Sequence, residues 1–546
     1  LRLIFSLGVD GFNAFGKKTG GGPASVTAIY MACLSLPIEE RFKRENMYLV
    51  GVIPSPHKPS EDKINHLLRP LVDDLLEFWN PGIHLSQTKH HPSGCHVQAA
   101  LIPLVSDILA ARQTGGFTAH SATLFCSLCY LRADEIENFD LETWPLRTSQ
   151  DHRHHANAWK DAQTITERQE ITKKYGVRFS ELLRLPYWDP MLFTVIDSMH
   201  AFFLRIIPEH IRRIWGVGPD TPSGDGYYTP GFQPPNRALN DALIDGLEKR
   251  LQSAKSTHAL GSNIRSATLF ALCEELQIHV DCPKPGKLPS KSTLLTALGQ
   301  WVHSNPHRRK PLPGPADSAP NMRKRHAHNS VVLGDSVLPE VWEDQQKLIL
   351  PSFVSPAPAN FGLASRSLSA DQWRSVGTIH LVVTLIRLWG FDAGRKGEML
   401  VNYIHLITAI HWENMRTTSK FAADEYTFHM LEYFRGLVRL YKEAKVQPTH
   451  HLALHIGDLL LAFGPVHSWR TWAFERYNYV LQNVKTNNKF GELELTFMND
   501  ACRAANLTAY MFSGRVQAFS NLLPAFLQAF YSDIRGTRLN DILSFG

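Results

Sequence analysis

The chain has 546 residues, 44% hydrophobic and 20% charged, a globular balance that excludes a mainly disordered or fibrous protein and leaves room for roughly two to four structural units. Its 57 basic and 51 acidic side chains give a net charge of +6, which permits a polyanionic partner without demanding one. Seven cysteines, an odd and sparse set, argue against a disulfide scaffold and for a reducing compartment, and no run of ~18 apolar residues predicts a membrane span.

The sequence starts at Leu1 and reads there as mid-strand, as expected of a fragment. LRLIFSLGVDGF, SVTAIYMACLSL and NMYLVGVIPS are β-type runs separated by short turns, which predicts an antiparallel meander. EDKINHLLRPLVDDLLEFW then has helical apolar spacing, with Leu67, Leu68, Leu71, Leu75 and Leu76 on one side. CHVQAALIPLVSD returns to β character, so the order is βββαβ, the opening of an RNase H-like fold. Beyond residue 130 the pattern becomes helical. Segment 216–237 reads as a loop, and 303–365, rich in Pro, Ser and Ala, as a linker that is disordered or a loop. Ser369 and Gln372 form a capping box that opens another helix. The expected architecture is α+β: an RNase H-like mixed sheet in residues 1–130, a large, mainly helical insertion in 131–448, and the rest of the core in 449–546.

Asp10 and Asp107 each follow an apolar strand. Taken singly, the first reads as a turn residue and the second as a helix N-cap. In a βββαβ order, however, strands one and four are neighbours, so the two carboxylates come within reach of one ion. Hard oxygen ligands suit Mg²⁺ or Mn²⁺. Glu475 sits among Trp472, Phe474 and Tyr477, where an acid needs a partner; a surface pair with Arg470 or Arg476 is the competing reading. Gly11 to Lys17 imitates a phosphate-binding loop, but Lys18 stands where Ser or Thr is required and a glycine-rich turn follows, so nucleotide binding is not expected.

Cys126 and Cys129 are a Cys-x-x-Cys pair, of which chance gives only about 0.1 in this composition, and two thiolates so spaced can chelate zinc from a tight turn. The competing reading is two buried core cysteines. His450 and His455 supply a possible second half, with His451 a rival for the first position. Chance yields about one such histidine pair, so this one gains weight only beside the cysteines. The runs HHPSGCH at 90–96 and DHRHH at 151–155 are other histidine sources, both expected to be solvated loops.

VDGFNAFG, PLVSDILAARQTGGF, FCSLC, DSMH, HHLALH and GPVHSWRTWAFER together resemble the catalytic domain of CACTA (En/Spm-type, Plavaka-like) DNA transposases, related to Transib transposases and the V(D)J recombinase core. The resemblance runs from Asp10 to about Asn488. Ala14 stands where the family usually has Pro, and Ile108-Leu109 where Leu-Pro is common; neither removes a ligand. The resemblance implies a DDE triad of Asp10, Asp107 and Glu475 holding two Mg²⁺ or Mn²⁺ ions. It further implies one structural zinc on Cys126, Cys129, His450 and His455, and an accessory Asp-x-x-His motif at Asp197 and His200. Strand cleavage and strand transfer on transposon ends and target DNA, at least a homodimer in the active complex, and a nuclear location follow from it. The alternative is a transposase-derived DNA-binding protein that no longer cuts. Two basic clusters, Arg308-Arg309-Lys310 and Arg323-Lys324-Arg325, read as a solvated loop or nuclear-import signal, or else as non-specific phosphate contacts.

Overall fold

The computed structural model describes residues 1–14, 25–54, 63–217 apart from 89, most of 368–512, and short pieces between 269 and 362. The basic clusters at 308–310 and 323–325 and nearly all of segment 216–237 lie outside the described residues.

Five strands form one mixed sheet: β1 (Arg2–Asn13), β2 (Ser25–Cys33), β3 (Met47–Ile53), β4 (Ile83–Leu85) and β5 (Cys95–Leu104), in the order β3-β2-β1-β5-β4. The first three are an antiparallel meander, and β5 returns parallel to β1 through α1 (Ile64–Trp79), as the βββαβ reading requires. The short β4, hairpinned onto β5, is an addition the sequence patterning did not reveal. β1 also runs further than expected: Asp10 lies within it, opposite Ala28, rather than at its end.

Strand alternation splits the sheet between two cores. Leu7, Val9, Ile29 and Met31 face α1 and its Leu68, Val72 and Leu75. Ala28, Tyr30 and Ala32 face the helical body, including Phe474 and Tyr477. In α1 the buried stripe is Ile64, Leu68, Leu71, Val72 and Leu75; Leu67, expected inside, is 38% exposed. A 100° step per residue puts Val72, not Leu67, in line with Leu68 and Leu75.

The helical part includes Ser149–Asp161, Ile165–Tyr175, Ala370–Ser375, Leu381–Trp389, Arg395–Glu413, Lys420–Leu440, Pro448–Ala453, Ile456–Phe463, Trp472–Gln482 and Leu493–Phe512. The Ser369–Gln372 capping box forms as expected. Two expectations are corrected. Residues 303–365 are not loop throughout, since Leu338–Lys347 is a helix whose Val341 is fully buried. The DHRHH run is not a solvated loop either: it lies in the Ser149–Asp161 helix, with His152 buried against Phe117. The HHPSGCH run is an exposed loop as expected only up to Gly94, because Cys95 and His96 begin β5 and pair with β4. No helix among the described residues is long and apolar enough to cross a membrane.

Candidate functional site

Chain geometry brings Asp10 and Asp107 to the same edge of the β1–β5 pair. Val105 N–H donates to the Leu7 carbonyl at 2.7 Å, and Val9 N–H donates to Ser106 Oγ at 2.9 Å, so the ladder continues up to the residue before Asp107. Asp107 then N-caps α2 (Ile108–Gly115), accepting the Ala110 N–H at 2.6 Å. The N-cap reading of Asp107 is therefore right, and the strands that lead to Asp10 and Asp107 are neighbours.

The Trp472–Gln482 helix lies across this edge. Gly8 makes that possible: a Cβ there would meet the Phe474 ring at 2.9 Å. Phe474 instead lies over the strand and stacks on Tyr30, 5.8 Å between centroids. Burying such a ring stabilises by about 1.5–3 kcal/mol, which anchors the helix to β1 and β2. Asn478 adds a polar anchor. Its Nδ2 donates to Asp10 Oδ2 at 2.6 Å, and its Oδ1 accepts the buried Tyr30 hydroxyl. Glu475, three residues before Asn478 and on the same helical face, is thereby directed toward the aspartates. No surface pair with Arg476 or Arg470 forms; its partner is His200, with Nε2 3.4 Å from Glu475 Oε1.

Asp197 and His200 complete the arrangement. Asp197 Oδ1 accepts the Thr471 N–H at 2.8 Å, and its Oδ2 accepts the Thr471 hydroxyl and the His200 N–H, each at 2.8 Å. His200 Nδ1 lies 2.6 Å from the same oxygen. His200 itself sits at the start of a π-helical segment, Met199–Ile206.

Electrostatics tie these groups into one centre. Burial, and then the Asp107 carboxylate, push Asp10 up to about 6. Burial pushes Glu475 up to about 7, against the pull of His200 and with the push of Asp10. Burial alone would lower His200, but Asp197 and then Glu475 outweigh it and raise it to about 9, so the imidazole is a cation at neutral pH. Asp10 and Glu475 thus resist ionising, the condition that a bound cation relieves. The carboxylates are neighbours rather than a closed cage. Among the described residues only one group, elsewhere, brings three or more ligand atoms within 4.8 Å of one another.

That group is Cys126, Cys129, His451 and His455, all buried. Cys126 Sγ lies 3.4 Å from His455 Nε2, Cys129 Sγ 3.2 Å from His451 Nε2, and the two Nε2 atoms are 3.3 Å apart. Zn–N bonds of ~2.0–2.1 Å at tetrahedral angles put two nitrogens about 3.3 Å apart, so the donor set and its spacing are compatible with a structural zinc. Trp144 stacks on His451 at 4.2 Å, and Arg147 Nε bridges the Cys126 and Cys129 carbonyls at 3.1 Å each, fixing the turn.

The expected ligand His450 does not join. Its Nδ1 accepts the Gln447 N–H at 2.9 Å, its ring packs on Phe434, and burial lowers it to about 4. Pro448 starts the short helix Pro448–Ala453 as expected, and on it adjacent residues diverge by about 100°. His451 and His455, four apart, share a side; His450 faces the hydrophobic core instead.

The chain's first quarter carries a family signature. Residues 1–143 match the model described as "Transposase family tnp2". The matched segment contains the sheet, Asp10, Asp107 and both cysteines. No curated protein matches the chain. The match supports a transposase, a class that acts on DNA.

Proposed function

We propose that the chain is the catalytic part of a DDE-type, CACTA-like DNA transposase built on an RNase H-like core, cutting and rejoining DNA strands at transposon ends. The observation that carries this reading is the placement of Glu475 beside Asp10 and Asp107, across a sequence gap that only the fold closes. Asp10, Asp107 and Glu475 would hold two divalent cations, Mg²⁺ or Mn²⁺, which when bound activate the attacking oxygen and stabilise the leaving oxygen in phosphodiester chemistry.

The chain's own residues prepare that centre. Asn478 holds Asp10 in orientation through Oδ2, while Oδ1 accepts the Gly11 N–H at 2.7 Å. Asp197 fixes the start of the Glu475 helix. Its carboxylate faces Thr471 and His200 and acts as a positioning group rather than a ligand. His200, charged and 3.4 Å from Glu475, offsets the carboxylate repulsion until a cation takes that role. Cys126, Cys129, His451 and His455 would clamp the early turn to the helices preceding Glu475, a structural zinc supplying the closure. The large helical insertion between Asp107 and Glu475 is then held in register at both ends. DNA as substrate implies a nuclear site of action, and joining two transposon ends implies at least two copies.

The test is strand cleavage of duplex DNA carrying the element's terminal repeats. Nicking that appears with Mg²⁺ or Mn²⁺, leaves a 3′-OH and disappears with chelator supports the reading. A protein that binds the repeats but leaves them intact under all divalent conditions contradicts it.

A further inference from the structure

We propose that Arg374 and Arg470, set over the Trp472 ring, form with the exposed Arg416 a seat for the DNA phosphate backbone beside the carboxylate centre. The inference rests on the reading of the chain as a DNA-cutting transposase and adds the path of the strand.

Three distant segments build the seat. Arg374 comes from the Ala370–Ser375 helix and Arg470 from the turn before the Glu475 helix; their guanidinium carbons lie 6.0 and 5.8 Å from the Trp472 ring centroid. Arg416 is exposed in the connection between Arg395–Glu413 and Lys420–Leu440 and forms no ion pair among the described residues. Burial lowers Arg470 from its ordinary value; Glu413 and Asp197 oppose this, while Arg374 and Arg416 add to it, so the three cations share one field. Asp371, Glu413 and Asp197 offset part of this like charge, and a phosphate would offset more of it.

Their donors are only partly used. Arg374 gives Nε–H and one Nη2–H to Asp371 Oδ1, at 3.0 and 2.7 Å, leaving three of a guanidinium's five N–H groups. Arg470 donates through Nη1 to Asn414 Oδ1 at 2.8 Å. The indole beneath two guanidinium groups orients their planes, the arrangement that suits planar, forked recognition of phosphate oxygens. Trp472 is also three residues before Glu475, one turn of the same helix. A phosphate seated over Trp472 therefore continues toward the carboxylates. A regularly charged backbone fits two oriented guanidinium groups and a third, exposed one better than a single small anion does.

The test measures affinity of the full chain for a labelled duplex over a salt series, without divalent ions. The Arg374→Ala/Arg416→Ala double variant removes two partly exposed cations and leaves Arg470, the more buried one, in place. Each lost phosphate contact flattens the plot of log affinity against log salt by about 0.9, so the expected change is about 1.8. Arg416→Glu alone, at an exposed position, is expected to weaken binding in the same direction while the melting temperature holds. Lys174→Ala/Lys347→Ala, two exposed lysines on other helices, is expected to leave the slope unchanged. An unchanged slope in the double variant, with wild type binding DNA normally, overturns the seat and leaves the transposase reading standing. Wild type that binds no DNA at any salt concentration overturns both.

Discussion

Asp197 and Thr471, 274 positions apart, are joined by two hydrogen bonds of 2.8 Å, one to the backbone N–H and one to the hydroxyl. Through them a carboxylate two residues before a π-helical segment sets where the Glu475 helix begins. Both residues are buried, and the same carboxylate also holds His200. The Asp-x-x-His motif therefore works on Glu475 from outside the carboxylate centre.

Thr471→Val removes the hydroxyl and is expected to cost about 1 kcal/mol in denaturant unfolding, while Asp197→Ala, which also abandons His200 and the Thr471 N–H, is expected to cost about 3 kcal/mol. Cleavage falls in both, and DNA affinity does not. Thr471→Ser restores the bond and should restore the rate. Loss of DNA affinity in step with cleavage would assign Asp197 to the DNA surface instead.

Glu475 makes the metal-free protein less stable. Its folded value of about 7 lies above the ordinary 4.5, so its ionisation weakens the fold progressively as pH rises from about 4.5 through 7 and fully above that. Glu475→Gln should melt about 1–2 °C higher than wild type at pH 8, with the difference vanishing below about pH 4.5. Added Mg²⁺ should raise the wild-type melting temperature and leave that of the variant nearly unchanged. Equal Mg²⁺ shifts in the two proteins would remove Glu475 from the cation site.

Acid has a separate effect through buried neutral histidines. Burial lowers His152 to about 3 and His210 to about 3, far below the ordinary 6.5. Between those values the unfolded chain binds protons that the folded chain does not, so stability contributed above pH 6.5 is lost as pH falls toward 3. Replacing His152 with Gln should flatten the fall of unfolding free energy with pH in that window. An unaltered slope would show that His152 is protonated in the fold.

Zinc content separates the histidines. Cys126→Ser and His451→Ala should lose the metal, melt at lower temperature and cease to cleave. His450→Ala should keep about one zinc per chain, with only the packing loss of a core side chain. Full zinc in His451→Ala would return the ligand role to His450.

The contrast between His450 and His451 shows how far the sequence could be read. Asp10 and Asp107 were legible because an apolar run leads to each and the βββαβ order makes those strands neighbours, although Asp10 lies within β1 rather than after it. The Cys-x-x-Cys pair was legible because it is rare by chance. The two adjacent histidines needed the phase of the helix: spacing of four shares a face with His455, and spacing of five does not. Asn478 was within reach of the same argument, three residues after Glu475. Leu67 and Val72 were exchanged because a leucine count ignores helical phase. The Asp197–Thr471 bond, the His200–Glu475 contact and the convergence of Arg374 and Arg470 on Trp472 were beyond reach, since nothing local in the sequence encodes contacts made across the insertion.

Single-turnover cleavage of terminal-repeat DNA by Asp10→Ala, Asp107→Ala and Glu475→Ala, each compared with wild type in Mn²⁺, bears most directly on the carboxylate centre. The expected result is a loss of at least ~10³-fold in each, about 4 kcal/mol of barrier, with folding and DNA affinity retained. Cleavage at the wild-type rate in Glu475→Ala would contradict it and move the third carboxylate to another residue, Glu413 first, which is buried and pushed up to about 7 by burial.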